Sequence, residues 1–312
     1  MKSLRLGTRG SHLALYQARL VATRIKAAGG PDCELVIIKT SGDQLQQRPL
    51  SEIGGKGLFV KEIEEALLRG DIDLAVHSSK DMSVVLPDGL GIGAVLPRVD
   101  PADVAVLPAK KHKGRITVDA LTKKIGKSAR IGTGSVRRVA QLRALFPDAT
   151  FQSIRGNVET RLRKLDAGEY DLLVLAAAGL RRLGHGRRIS ARLPVSICIP
   201  APGQGIIAVE IRTADKMVRR AVKRINDADA AAALEAERAL VAALGGGCQM
   251  PLGGLATAVG KSSLKLRAIV ASPAGCQAVR AWAVLPKTQA SRLGRQVGQT
   301  LLEAGAAEIL KS

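Results

Sequence analysis

The feature that most constrains this chain is a strand–glycine–helix junction that occurs twice. Gly7-Thr8-Arg9-Gly10-Ser11 follows a short strand predicted over 4–6, and Gly132-Thr133-Gly134-Ser135-Val136-Arg137-Arg138 closes one predicted over 130–132. A strand that passes at once into a helix must cross over before its next neighbour, which favours parallel pairing with helices on the sheet faces. Two such starts in 312 residues imply two α/β units rather than one long sheet.

The stretches between them agree. Ser11 is placed to cap a helix whose apolar positions Leu13, Tyr16, Leu20, Val21 and Ile25 recur at helical spacing until Gly29-Gly30 stops it. A strand is predicted over 34–39, a polar loop over 41–57, a helix over 59–68 and a strand over 72–77. After a Pro- and Lys-rich connection over 97–114, the pattern restarts. It gives strand 130–132, helix 136–146 capped by Ser135, strand 150–154, helix 158–167 and the continuous apolar strand 171–175. Pro194, Pro200 and Pro202 mark a second connection, followed by strand 206–211. The remainder differs: helices 215–225 and 228–244, strands 255–259, 264–270 and 278–284, then a helix from 289 to the end. The expected fold class is α/β, with two periplasmic-binding-protein-like domains of mixed, mostly parallel sheets and a smaller α+β C-terminal domain. The expected boundaries are 1–100 with 201–222, then 101–200, then 223–312, with the two connections as hinges.

Composition narrows the partners. Hydrophobic residues make up 46% and aromatics only 2%, so the core packs aliphatic side chains. The longest apolar run, 172–178, is far shorter than a membrane span, and residues 1–7 do not resemble a signal peptide. A cytoplasmic protein with no membrane contact is expected. Cys33, Cys198, Cys248 and Cys276 form no CxxC pair and the histidines are scattered, so no metal site is expected. The net charge of +21 points to an anionic partner. Nucleic acid is excluded as the expectation, because aromatics for base stacking are too few and no recognition module is present. Gly126-Lys127-Ser128 and Gly260-Lys261-Ser262 lack the earlier glycine of a phosphate-binding loop.

Three kinds of segment carry chemistry. In open α/β sheets ligands bind beyond the carboxyl ends of strands. Arg9, Arg137 and Arg138, and Arg155-Gly156-Asn157 with Arg161 one turn on, all stand at such ends. Singly, each such arginine is more often a surface residue; together they suggest an anion site. Lys80-Asp81 follows the strand 72–77, where it is either a solvated ion pair or a carboxylate kept ionised to steady positive charge. Cys248 lies in Gly245-Gly246-Gly247-Cys248-Gln249, either a glycine-rich turn that happens to hold a cysteine or a thiol presented for attachment or nucleophilic attack.

In this order, these segments resemble the porphobilinogen deaminase (hydroxymethylbilane synthase) family nearly end to end. Gly54-Gly55-Lys56-Gly57-Leu58-Phe59-Val60-Lys61-Glu62, Asp73-Leu74-Ala75-Val76-His77-Ser78 and Arg155-Gly156-Asn157-Val158-Glu159-Thr160-Arg161 extend the match. The resemblance implies a cytoplasmic transferase of tetrapyrrole biosynthesis. It condenses four porphobilinogen molecules head to tail into 1-hydroxymethylbilane and releases ammonia. It implies a covalent dipyrromethane cofactor on Cys248, contacted by Lys80, Asp81, Ser135, Arg137 and Arg138. It implies that Asp81 is the catalytic carboxylate, which binds the pyrrole N–H and stabilises the cation left by the departing amine. Arg9, Ser11, Arg155, Gly156, Asn157, Arg161 and Arg182 would bind the carboxylates of substrate and growing polypyrrole chain, and Lys56 and Phe59 would sit in a mobile loop. A monomer is expected. Ser79 and Ser83 depart from the family's usual residues around Lys80-Asp81, as does Ser41 before Gly42-Asp43. The alternative reading is a non-catalytic, two-lobed small-anion-binding protein, which has no use for Cys248 or Asp81.

Overall fold

The computed structural model describes residues 3–41, 60–110, 114–126, 128–246 and 250–311. The first sheet is built from β1 (Leu4–Thr8), β2 (Cys33–Ile37), β3 (Leu74–Ser78) and β4 (Leu90–Val95), with helices α1 (His12–Ala27) and α2 (Lys61–Arg69). A short 3-10 turn, Ser79–Asp81, continues directly from β3. Ser11 caps α1 as its position predicts, its Oγ accepting from Ala14 N at 3.3 Å. Gly70 ends α2 in the left-handed region at φ 78°.

The second sheet uses β5 (Asp103–Val106), β6 (Arg130–Gly132), β7 (Thr150–Gln152), β8 (Leu172–Ala176) and β9 (Ala191–Arg192). Helices α3 (Val118–Ile125), α4 (Val136–Leu142), α5 (Val158–Asp166) and α6 (Ala177–Arg182) connect them. The chain then returns to the first sheet as β10 (Ile207–Arg212), followed by α7 (Lys216–Lys223). The last unit packs α8 (Ala228–Ala243), α9 (Ala290–Glu303) and α10 (Ala306–Lys311) on the antiparallel sheet β11 (Leu252–Val259), β12 (Ser263–Ala271), β13 (Ala278–Pro286).

The first two sheets share one plan. Their strand orders are β2-β1-β3-β10-β4 and β7-β6-β8-β5-β9. In each, two pairings are parallel and two antiparallel, so the parallel share is half rather than most of the sheet. The cause is β10 and β5. Each is the first strand after the chain crosses between sheets, and each enters between two strands that both run against it.

Other expectations need correction. The connection predicted over 97–114 contains β5, all four residues of which are buried. Pro97, Pro101 and Pro108 dominate that stretch, and a four-residue strand with an aspartate at its start is too short to show a period. β4, β9, α3 and α6 were likewise not expected as elements. The helix expected over 136–146 ends at Leu142, and the last helix breaks at Gly305, where φ is +93°. Ser135 holds the N-cap position of α4 without capping it. The Thr133 hydroxyl instead accepts from Ser135 N at 3.3 Å.

The larger apolar cores each belong mainly to one sheet, with Leu172, Leu173 and Val174 fully buried in the second, while smaller clusters join α8 to the first sheet (Met82, Val95, Ala230, Leu234) and α4 to the third (Ala140, Leu255, Ile269). Each such side chain contributes roughly 1.5–3 kcal/mol when buried. The three units are also joined by buried polar contacts. Glu237 of α8 is fully buried, and its Oε1 accepts from Arg98 Nη1 at 2.5 Å and Ala256 N of β11 at 2.7 Å. Its Oε2 accepts from Arg98 Nη2 at 3.2 Å and Gly203 N at 2.6 Å. Arg98 lies on the outgoing connection between the sheets and Gly203 on the returning one. Gly203 has φ +74°, and a Cβ there would stand 2.9 Å from Lys80 N, so the returning connection lies directly on the Ser79–Asp81 turn. Glu237→Ala removes the carboxylate from all four donors and leaves Arg98 without its charge partner. A loss of about 3–5 kcal/mol is expected for breaking a buried pair, read from urea denaturation midpoints; a loss below about 1 kcal/mol contradicts this role.

Candidate functional site

The sequence-predicted residues collect where strands β1, β3, β6 and β7 end. Arg9 and Ser11 follow β1, Lys80 and Asp81 follow β3, Ser135 to Arg138 follow β6, and Arg155 to Asn157 follow β7. The helix starts of the two sheets also meet: His12 Nδ1 of α1 is 3.2 Å from Glu159 Oε1 of α5. A cleft between the two α/β units therefore has Lys80-Asp81 on one wall and the arginines of α4 and α5 on the other.

Asn157 caps α5, its side-chain oxygen accepting from Thr160 N at 2.8 Å. Gly156 adopts φ +101°, where a Cβ would lie 2.8 Å from Thr160 Cγ2, and its carbonyl accepts from Arg161 Nε at 2.8 Å. This turn aims Arg161 back along the helix start toward the cleft. Arg182, at the end of α6, donates to Gly205 O at 2.8 Å and lies near Tyr16 of α1.

Arg137 and Arg138 are not open forks. Both are buried and committed to Asp103 of β5. Arg137 Nη1 donates to Asp103 Oδ2 at 2.6 Å and Ile199 O at 2.7 Å. Arg138 donates through Nε and Nη2 to Asp103 Oδ1 at 3.0 and 2.8 Å, and through Nη1 to Val174 O at 2.9 Å. Gln204 Nε2 adds a bond to Asp103 Oδ1 at 2.9 Å. Burial opposes ionisation of Asp103, but the two guanidiniums overcome it and hold the carboxyl well below its usual range.

The cleft carries unmatched positive charge. Arg161 is pushed down to about 10, first by desolvation, then by the guanidiniums of Arg138 and Arg155, against the opposing pull of Asp81 and Tyr170. Arg182 is also pushed down to about 10, by desolvation, with Tyr16 opposing. Lys80 is lowered by desolvation first. Asp81 and Asp103 oppose that shift, and Arg138 and Arg137 add to it. Lys80 stays accessible to solvent although protein crowds it, as a concave wall allows. Cations that depress one another in this way gain when anions enter.

Cys198 is pushed up to about 12 and Cys33 to about 11, both mainly by burial, so neither is poised as a nucleophile. Cys248, Lys56 and Phe59 lie outside the described residues. The described flank of Cys248 is informative: Gly254 N of β11 donates to Pro200 O at 2.9 Å, beside Ile199, whose carbonyl holds Arg137. Among the described residues no group of three His, Cys, Asp or Glu side chains could hold a metal, and no helix is long and apolar enough to cross a membrane. Sequence reasoning missed Asp103, Gln204, Arg98 and Glu237. The one available signal was a charge inside an otherwise apolar stretch, as in Ala102-Asp103-Val104-Ala105-Val106.

Residues 4–220 match the family described as porphobilinogen deaminase, dipyromethane cofactor binding domain, and residues 231–303 match porphobilinogen deaminase, C-terminal domain. A porphobilinogen deaminase of Moorella thermoacetica is 47% identical over 312 residues, covering 100% of this chain and 96% of that protein. One from Syntrophobacter fumaroxidans is 45% identical over 309 residues, covering 99% and 97%. Among solved structures, substrate binding domain 2 of Lactococcus lactis GlnP aligns at 8% identity with a TM-score of 0.42, covering 72% of this chain and 87% of that one.

Asp103→Asn tests the buried network. It keeps the shape but removes the charge that two buried guanidiniums face, so a loss of about 3 kcal/mol or more is expected at neutral pH. Because the folded-state carboxyl is depressed, its contribution is present above the ordinary value of about 3.9 and is lost as pH falls below it. Urea titrations should therefore show the gap between wild type and Asp103→Asn narrowing in acid; a gap constant with pH rules out the charge as its source.

Proposed function

This chain belongs to the porphobilinogen deaminase family, and we propose that the arginine-lined cleft between its first two sheets is where it works. The chain is a hydroxymethylbilane synthase, a transferase of tetrapyrrole biosynthesis with a dipyrromethane cofactor. It acts on porphobilinogen and builds a polypyrrole chain. The observation that carries the site assignment is the convergence of Lys80-Asp81, at the end of β3, with Arg138 of α4 and Arg161 of α5, where burial first and neighbouring guanidiniums second lower Lys80 and Arg161.

The cofactor fits this donor set. Each pyrrole ring brings an acetate and a propionate, and the cleft offers guanidiniums whose charge the protein leaves partly unmatched. Cys248 carries the cofactor through its sulfur. Ser135, Arg137, Arg138, Lys80 and Asp81 hold it, with Arg137 and Arg138 contributing their field and their hold on Asp103. The Ser135 hydroxyl, which does not cap its helix, is available to a ligand. When bound, the dipyrromethane supplies the free pyrrole carbon from which the chain is extended.

Arg9, Ser11, Arg155, Gly156, Asn157, Arg161 and Arg182 bind the acid side arms of the incoming ring and the growing chain. Bidentate guanidinium–carboxylate contacts fix the ring's orientation as well as its affinity. Asp81 accepts the pyrrole N–H of the substrate. Its carboxylate stabilises the positive charge that spreads into the ring as ammonia leaves. Lys56 and Phe59, outside the described residues, are assigned to the site by the resemblance alone.

Three domains follow from this reading, 1–100 with 201–222, then 101–200, then 223–312. Return of β10 to the middle of the first sheet supports the discontinuous first domain. The hinges are the stretches before β5 and after β9, shorter than the connections read from prolines alone. The protein is a cytoplasmic monomer that binds neither nucleic acid nor membrane. Free thiols at Cys33, Cys198 and Cys276 suit a reducing compartment.

Intact mass of the protein made with porphobilinogen available should exceed the chain by one dipyrromethane, and Cys248→Ser should lack the increment. An unmodified wild type sinks the attachment. Asp81→Ala should keep the increment and lose turnover by about 10²–10³-fold, as when one stabilising group of a preorganised site is removed; near-normal turnover removes Asp81 from its role.

A further inference from the structure

A cavity of about 750 Å³ lies between the first sheet and the third unit and shares no residue with the cleft. That volume is within the span of roughly 300–1,000 Å³ common to small-molecule sites. Its walls come from β4, α7 and α8, with Ser291 at the start of α9. The floor is apolar: Ile92 and Val95 of β4, Ile211 of β10 and Leu234 of α8 line it. At Gly93 a Cβ would stand 2.7 Å from Ile211 Cδ1, so the glycine lets that side chain close over the strand. β4 is an edge strand paired with β10 alone, and no further strand fills the space beside it.

The rim is basic. Arg219 and Lys223 of α7 and Arg238 of α8 line the cavity against one carboxylate, Glu235. The Lys223 ammonium has no hydrogen-bond or ion-pair partner among the described residues. Arg219 Nη2 donates to Thr213 O. Arg238 donates through Nη1 to Ser83 O at 2.9 Å and through Nη2 to Val84 O at 2.5 Å. Carbonyls of this kind satisfy N–H groups without cancelling the charge. Asn226 accepts from Val95 N through Oδ1 at 2.8 Å, which leaves its NH₂ group as a further donor. Donors and positive charge at the rim, above an apolar floor, fit a molecule with an anionic head and an apolar body. A polyanion would leave the floor unfilled, and a neutral apolar molecule would leave the rim unanswered.

The cavity also backs onto the segment that continues from the Lys80-Asp81 turn. Val84, three residues beyond Asp81, lines it. Met82 packs with Ala230 and Leu234 of α8, and Arg238 of the same helix holds the carbonyls of Ser83 and Val84. One helix therefore serves as a wall of the cavity and as the support of that segment. A carboxylate at the rim is a stronger acceptor for the Arg238 guanidinium than either carbonyl. Its arrival competes with the contacts that hold residues 83 and 84.

We propose that this cavity is a regulatory site for an amphiphilic carboxylate, one acid group on an apolar chain, and that its occupancy slows turnover through the segment 82–84. The regulatory half rests on the assignment of Asp81 to catalysis; the binding half does not.

Decanoate is the probe, decanol and acetate are the controls, and the sample is cofactor-loaded enzyme. Calorimetry should show one decanoate bound per chain, with decanol and acetate each weaker by about tenfold or more, since each lacks one half of the match. Arg219→Ala and Lys223→Ala, both at exposed rim positions, should each weaken decanoate about threefold, and the double variant about tenfold. Glu235→Gln should tighten it. None of these variants should change kcat in the absence of decanoate. Saturating decanoate should lower wild-type kcat about twofold or more with KM for porphobilinogen unchanged, and the double variant should need about tenfold more decanoate for the same effect. Decanol binding as tightly as decanoate, or a decanoate affinity indifferent to the double variant, overturns the site. Inhibition relieved by excess porphobilinogen puts decanoate in the cleft and overturns the proposal as well. Decanoate bound at the rim with kcat unmoved overturns the regulatory half. Absence of turnover without decanoate would instead sink the assignment of the cleft, and calorimetry would still decide the cavity.

Discussion

Two buried carboxylates bind the separate cores of this protein into one working cleft. Most apolar clusters lie on a single sheet, and two smaller ones reach the third unit, Met82, Val95 and Ala208 packing with Ala230 and Leu234 of α8, and Ala140 of α4 with Leu255 and Ile269; the buried carboxylates add direction to these contacts. Glu237 receives donors from the outgoing connection, the returning connection and β11. Asp103 receives Arg137, Arg138 and Gln204, and so ties α4 and the returning connection to β5. Both are fully buried. A buried pair gives little net stability compared with an apolar replacement, but breaking one side of it is costly. Such contacts specify an arrangement more than they strengthen it.

That arrangement divides the positive charge of the site into two classes. Arg137 and Arg138 are compensated inside the fold and cannot move far. Arg161, Arg182 and Lys80 face the cleft with their charge only partly answered. The first class sets position and field; the second is the surface we propose for recognising carboxylates. Exposed ion pairs such as Lys26 with Asp32 are screened by solvent and decide neither property. A chain that must hold a growing polyanion needs both classes, since a site of wholly compensated guanidiniums would gain nothing from its ligand.

Legibility in the sequence followed the range of the interaction. Ser11 as a cap, the helix begun by Val158 and the buried strand ending in Leu175 were readable because caps and apolar runs are local. The strand-end arginines were readable for the same reason: each sits within a few residues of its glycine. β5 was not readable, since its four residues make sense only between β8 and β9. Nor was the inward turn of Arg137 and Arg138, which depends on Asp103, 34 and 35 positions away in sequence and adjacent in space.

The sequence by itself determined the two α/β starts, the α+β end, the family, and which residue types stand at the strand ends. These rest on period, capping and motif, all of which operate over a few residues. Only the tertiary structure decided which arginines are compensated inside the fold, that Glu237 and Asp103 sit at the junctions, and that His77 of β3 meets Glu210 of β10 in the interior. Those outcomes depend on burial and on charges meeting across the fold. A sequence states that a carboxylate is present, but its solvation and its partner exist only once distant segments have packed around it.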